Sequence, residues 1–228
     1  MILADLFLPR KCCICGVPLL PEEHHICLCC FSQLPLTHFE NQSHNPVSDR
    51  INDLIDSPPP YAYATSLFYY RGAYKEITRL LKYQRHFSMG RYFSTLLADN
   101  IRQSAYLSDI DAVAPLPLHW TRRLKRGYNQ SEIIARVIAK SLDLPCRTDM
   151  LVRRRRTRSQ TKYHGKERLG NVSGAFYAPL CSAPKHLLLV DDVLTTGSSL
   201  LAAYNALRAR YGESMRISFA TLAFVPKD

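Results

Sequence analysis

The residues able to do chemistry are densest in one run, Leu187-Leu188-Leu189-Val190-Asp191-Asp192-Val193-Leu194-Thr195-Thr196-Gly197-Ser198-Ser199. Its first four residues are continuously apolar, as expected of a strand buried on both faces. Two adjacent carboxylates stand at the carboxyl end of that strand, the end at which open α/β sheets bind ligands. Small hydroxyl residues and Gly197 then open a helix. Backbone N–H groups at a helix start, joined by Thr and Ser hydroxyls, make a cradle for phosphate, and Gly197 lets the backbone approach it closely. The carboxylates can accept hydrogen bonds from vicinal ribose hydroxyls. The pattern therefore suits a sugar 5-phosphate, with hydroxyls on the acids and phosphate on Thr195, Thr196, Gly197, Ser198 and Ser199. There is no GxxxxGK sequence, so a Walker-type nucleotide site is excluded.

A second cluster is made of thiols. Six of the eight cysteines fall between Cys12 and Cys30, and Cys12-x2-Cys15 is followed after 11 residues by Cys27-x2-Cys30. Each pair can place two thiolates about 2.3 Å from one metal, and two pairs close a tetrahedral structural zinc site. Cys13, Cys29, His24 and His25 are spare ligands nearby, so a shifted ligand set stays open. Cys146 and Cys181 read as plain buried thiols. The residues Met1–Leu8 are apolar but lack a basic flank, so no signal peptide is expected. Thiols in a chain without one point to metal in a reducing cytoplasm rather than to disulfides.

The third signal is charge. The chain has 228 residues and a formal net charge of +11, and residues 121–168 alone hold 15 Lys/Arg against 4 Asp/Glu. Such a field implies a polyanion, either phosphates on a small molecule or a nucleic-acid backbone. Charged residues are only 21% of the chain and hydrophobic residues 46%, which excludes a disordered polyelectrolyte. No apolar run approaches the roughly 20 residues needed to span a bilayer, so no membrane insertion is expected.

These residues need elements to hold them. Residues 36–57 are polar and turn-rich, and Ser57-Pro58-Pro59-Pro60 is a stiff joint. Tyr61 to Tyr70 reads as a strand. Ala73, Ile77, Leu80 and Leu81 recur at helical spacing, and a second helical run with Tyr92, Leu96, Leu97 and Ile101 comes after Gly90. Residues 110–118 read as a strand leaving into a Pro-stiffened loop. Asn129 and Glu132 have the form of a capping box for a helix carrying Ile134, Val137, Ile138 and Ser141 on one face. A helix with Leu200, Tyr204, Leu207 and Tyr211 aligned, then a strand from Met215 to Val225, close the chain. The alternation predicts an α/β fold with a mainly parallel sheet covered on both sides.

The run from Leu187 to Ser199 resembles the PRPP-binding signature of type I phosphoribosyltransferases. Around it stand Leu81-Lys82-Tyr83, Ala114-Pro115-Leu116-Pro117, Arg126-Gly127-Tyr128-Asn129-Gln130, Arg153, Thr157, Gln160, Arg168, Asn171 and Gly174-Ala175-Phe176. With the paired CxxC in front, this order resembles the ComF family of competence-associated phosphoribosyltransferase-like proteins.

The resemblance implies a type I phosphoribosyltransferase-like body over 58–228 and a small N-terminal zinc-binding module with its linker over 1–57. It implies that Asp191 and Asp192 meet the ribose and, indirectly, Mg²⁺, and that Thr195 to Ser199 take the 5-phosphate. A loop from Leu116 to Gln130, with Arg122, Arg123, Lys125, Arg126, Gly127, Asn129 and Gln130, would hold the diphosphate of PRPP, with Arg126 joining the two acids in catalysis. Residues 153–168, with Arg153, Thr157, Gln160 and Arg168, would form a flap that closes over PRPP. In 6-oxopurine-using members an Asp stands where this chain has Thr195, so hypoxanthine and guanine are not expected as acceptors. The expected function is displacement of diphosphate at C1 of PRPP, linked to DNA uptake. The competing reading is a single-stranded-DNA-binding accessory of competence or recombination proteins, with Arg153–Arg156 and Arg158 on phosphates and Trp120, Tyr128 or Tyr163 stacking on bases.

Overall fold

The structure is a computed structural model that describes residues 10–55, 62–72, 74–75, 87–121, 124, 127–154 and 174–226. Its helices include α1 (Leu28–Ser32), α2 (Pro46–Leu54), α3 (Phe87–Gln103), α4 (Gln130–Leu142) and α5 (Ser198–Tyr211). The strands are β1 (Ala64–Tyr69), β2 (Ala112–Pro115), β3 (Val152–Arg153), β4 (Phe176–Tyr177), β5 (His186–Leu194) and β6 (Arg216–Phe224). The α/β architecture is the expected one. β1, β6, β5 and β2 lie side by side in that order, every pair parallel, while β3 and β4 form a separate antiparallel pair.

The apolar run at the start of β5 lies at the centre of the sheet, fully buried on both faces. Leu188 and Val190 point into a core with Val113, Ile134, Ile138 and Phe93, carried by α3 and α4. Leu187 and Leu189 point into the opposite core with Leu200, Leu207, Ile217 and Phe219, carried by α5. Period-two alternation thus serves two hydrophobic layers at once. Each Leu so buried contributes about 1.5–3 kcal/mol.

The direction of the crossovers decides where a ligand can bind. After β2 the chain runs through α4 to Cys146, which pairs in parallel with Val113 on the outer side of β2. After β5 it runs through α5 to β6, on the other side of β5. The two connections diverge, so the sheet has its topological switch point between β2 and β5. A crevice opens there at the carboxyl ends of the strands.

The stretch 36–57, polar and turn-rich in sequence, holds the nine-residue helix α2. Several of its polar residues face inward. Asn45 caps the helix by accepting from the N–H groups of Val47 and Ser48, and its amide donates to the Ala64 carbonyl. Ser48 exchanges hydrogen bonds with both backbone groups of Ala64, and Asn52 does the same with Ala62. Upstream, Thr37 N–H donates to the Leu67 carbonyl and Tyr69 N–H to that of Pro35. Residues 35–52 therefore satisfy the open edge of β1 with a strap of side chains and turns, in place of another strand.

Other differences are local. α3 begins at Phe87, with Gly90 inside its first turn. The helical run Ala73, Ile77, Leu80 and Leu81, the Leu81-Lys82-Tyr83 segment, and Ser57 to Pro60 lie outside the described residues. Cys146 and Cys181 are half-buried, not fully buried, and the Cys181 thiol sits 3.0 Å from the Tyr211 hydroxyl.

Candidate functional site

The crevice between β2 and β5 is lined by the loops that leave these two strands. Pro115 pairs with Val190, and Leu116 N–H donates to the Val190 carbonyl, so the loop leaving β2 starts beside the acidic pair. Asp191 accepts from the Ser131 hydroxyl at 2.8 Å and from the Asp192 N–H at 2.9 Å. Asp192 accepts from the Val193 N–H at 2.8 Å. Burial, with the Asp192 charge beside it, pushes the Asp191 carboxyl up to about 7. Ser131, in the first turn of α4, is a site residue that the sequence reading missed. Its only sequence signal is a hydroxyl at the start of the helix after β2.

The loop Thr195–Ser199 has the form expected of an anion cradle. Gly197 caps α5 from the left-handed region, φ +82°, without any side-chain cap bond. Among the described residues, the N–H groups of Thr196, Gly197, Ser198 and Ser199 find no protein acceptor, as the first donors of a helix do when a ligand is to take them. The Thr196 and Ser198 hydroxyls lie 3.0 Å apart. A Cβ on Gly197 would fall 2.6 Å from Leu54 Cδ1, so glycine here also lets α2 pack against the loop.

The loop after β2 is closed at its base. Asn129, expected as the acceptor of a capping box, makes no side-chain cap bond; its amide donates instead to the Leu116 carbonyl at 3.1 Å. Glu132 pairs with Arg136 one turn on, which leaves the box unformed. Gly127 takes φ +80° in the same turn, and Gln130 opens α4. Arg122, Arg123, Lys125 and Arg126 lie outside the described residues. So do Thr157, Gln160, Arg168 and Asn171. Arg153 is described: it lies in β3 with its guanidinium 5.0 Å from the Phe176 ring. Arg154 N–H donates to the Ala175 carbonyl, so the start of the expected flap is tied to the chain segment that follows it.

The thiol cluster has the paired register. The Sγ atoms of Cys12, Cys15, Cys27 and Cys30 all lie within 4.8 Å of one another. Cys13 turns its thiol to Met89 Sδ at 3.4 Å, and Cys29 faces Gln33. Burial opposes ionisation of Cys12, but backbone donors from Cys15, Cys27 and Ile14 outweigh it and bring the thiol down to about 6. Burial pushes Cys13 up to about 11, as for an inert thiol. Four convergent sulfurs with one thiol already easily ionised fit a soft tetrahedral cation such as zinc.

Comparison with known proteins agrees with this geometry. Residues 128–228, which include α4, the acidic pair and the Thr195–Ser199 loop, match the phosphoribosyl transferase domain. The fold and the site define a phosphoribosyltransferase-like protein. Over 210 residues, 86% of this chain and 89% of the relative, it is 27% identical to the DNA utilization protein YhgH of Escherichia coli K12. It is 29% identical to competence protein F of Haemophilus influenzae over 60% of this chain and 62% of that one. To competence protein ComFC of Streptococcus pneumoniae it is 26% identical, over 59% and 57%. These relatives support the resemblance of the chain to the ComF family of competence-associated phosphoribosyltransferase-like proteins. Among the described residues, no helix is long and apolar enough to cross a membrane.

Proposed function

We propose that this protein binds PRPP, or another phosphorylated ribose, and displaces diphosphate from C1 in favour of an acceptor. The observation that carries this is the pairing, at one switch point, of an uncapped Thr195–Ser199 loop with two adjacent carboxylates. The loop N–H groups and hydroxyls take the 5-phosphate. Asp191 and Asp192 accept from the ribose hydroxyls and so orient C1. Such a centre passes through an oxocarbenium-like state, and the protein contributes positioning and stabilisation of leaving-group charge. The basic residues between Arg122 and Arg126 are assigned to that charge, with the flap residues excluding water. Two carboxylates that no Lys or Arg pairs with among the described residues fit a hard cation, and Mg²⁺ would supply further neutralisation of the diphosphate when bound. Zinc at the four cysteines is a structural ion in this reading, and the compartment is the reducing cytoplasm.

The test is a titration of PRPP with Mg²⁺ against wild type and an Asp191→Asn/Asp192→Asn variant, with assay of diphosphate release in the presence of candidate acceptors. Saturable binding lost in the variant supports the reading. Absence of PRPP binding by wild type refutes it.

The names of the relatives add a role in using or taking up DNA. A second reading, a single-stranded-DNA-binding accessory with a PRPP-sensing pocket, is favoured by one observation: Trp120, beside the basic loop, is 63% exposed, with His119 tilted against it. Single-stranded DNA binding that weakens steeply with salt and falls on Trp120→Ala or Arg154→Ala/Arg155→Ala/Arg156→Ala supports it. Tight PRPP binding without turnover favours the sensor over the enzyme.

A further inference from the structure

Arg50 is a cation in an unusual place. It lies in the strap helix α2 and is 7% exposed. Its Nη1 donates to the Thr195 carbonyl at 2.7 Å and to the Val225 carbonyl at 2.5 Å. Its guanidinium carbon sits 4.4 Å from the centre of the Phe224 ring. Among the described residues, no carboxylate pairs with it. A buried charge with only neutral partners is costly to keep. Leu54, one turn on, lies on Gly197 and extends the contact of α2 with the loop.

From this geometry we infer that Arg50 is a positioning residue for the phosphate loop, acting through the Thr195 carbonyl. A trans peptide is planar, with its carbonyl and N–H pointing in opposite directions. By holding the Thr195 carbonyl, Arg50 fixes the Thr196 N–H to point away from α2, and that N–H finds no acceptor in the described protein. The same contact brings a full positive charge behind the loop, where an anion in the cradle would offset it. The second contact, to Val225, locks the carboxyl ends of β5 and β6 together. The strap is thereby more than cover for a sheet edge: it makes anion affinity depend on residues 46–54. By linkage, an anion on the loop must in turn tighten the strap.

This inference rests on the loop being the phosphate site, and the experiment separates the two. Binding of ribose 5-phosphate and of orthophosphate is measured by calorimetry on wild type, Arg50→Lys, Arg50→Gln and Ile138→Val, the last a mild core change remote from the loop. Arg50→Gln should weaken both ligands by about tenfold or more and Arg50→Lys by much less, as expected for loss of a charge-assisted contact. Ile138→Val should leave the affinities unchanged. In wild type, ribose 5-phosphate should slow amide exchange in residues 46–54, a readout that stands even if Arg50→Gln fails to fold. Wild-type affinity in a folded Arg50→Gln protein overturns the inference alone, as does ligand binding without slower exchange in 46–54. No ribose 5-phosphate binding by wild type overturns the assignment of the loop as well.

Discussion

Replacing Asp191 by Asn should stabilise this protein, and increasingly so as pH rises. The ordinary Asp value of 3.8 becomes about 7 at Asp191, because burial and then the Asp192 charge disfavour its ionised form. A carboxyl raised in the folded state binds its proton more tightly there than when unfolded. Its contribution is therefore favourable at low pH, is lost as pH climbs from about 4 towards 7, and stays lost above that. A shift of about three units corresponds to about 4 kcal/mol. Asp191 is half-buried rather than sealed, and solvent screening reduces this to about 2 kcal/mol. Asn keeps an oxygen for the Ser131 hydroxyl and the Asp192 N–H, the two donors that Asp191 now accepts. For a chain of this size, about 2 kcal/mol is about 4–8 °C in Tm. The assay is thermal unfolding of wild type and Asp191→Asn from pH 4.5 to 8.5, at constant ionic strength and free of Mg²⁺ and phosphate. The Tm gap should be smallest at the acid end and widen through neutrality. A gap that stays flat with pH, or a variant less stable throughout, refutes the account of Asp191 as a strained carboxylate. The same variant should bind PRPP more weakly, as expected where site residues trade stability for function.

Three further outcomes are expected. Gly197→Ala should cost about 1–2 kcal/mol for its φ of +82°, plus the overlap with Leu54. A Leu54→Ala background should relieve only the overlap, as read by urea denaturation of the single and double variants. Purified protein should carry one zinc per chain by elemental analysis, lost in Cys30→Ser and kept in Cys13→Ser and Cys29→Ser, since only Cys30 of the three belongs to the convergent set. Hypoxanthine and guanine should yield no nucleotide with PRPP, because Thr195 offers a hydroxyl and not a carboxylate. Detection of either product by chromatography contradicts this.

How legible each element is in the sequence depends on the physics of its signal. β5 was legible because burial on both faces demands a continuous apolar run, and such runs are rare. The paired CxxC spacing is legible in the sequence, and in the structure those four sulfurs converge while Cys13 faces Met89 and Cys29 faces Gln33. The strap was not legible. Asn45, Ser48, Arg50 and Asn52 look like solvated linker in sequence, yet all four spend their polar groups on backbone of the sheet edge or the loop. Polarity predicts exposure only when no unpaired backbone is waiting, and an edge strand supplies it. Asn129 and Glu132 failed as a capping box for a related reason. Each found a better partner, the Leu116 carbonyl and Arg136, which local spacing does not reveal.

The electrostatics of the site are polarised, and this argues for the shape of its ligand. At one end, Asp191 and Asp192 are adjacent acids that, among the described residues, no Lys or Arg neutralises. At the other, the loop presents N–H groups that find no acceptor among the described residues, and behind it stands Arg50, a cation with which no described carboxylate pairs. Two local imbalances of opposite sign persist in a folded chain although each is costly alone. Among the described residues, Arg50 makes its hydrogen bonds to the Thr195 and Val225 carbonyls and not to either acid. A ligand that donates at one end and carries negative charge at the other resolves both at once. A phosphorylated ribose has that polarity: hydroxyls on one edge of the ring and a phosphate beyond its far corner. A simple anion would satisfy only the loop, and a bare cation only the acids. Affinity for ribose 5-phosphate should therefore exceed that for orthophosphate, and the excess should vanish in Asp191→Asn/Asp192→Asn while orthophosphate binding survives. Equal affinities in wild type would mean that the acids and the loop do not serve one ligand.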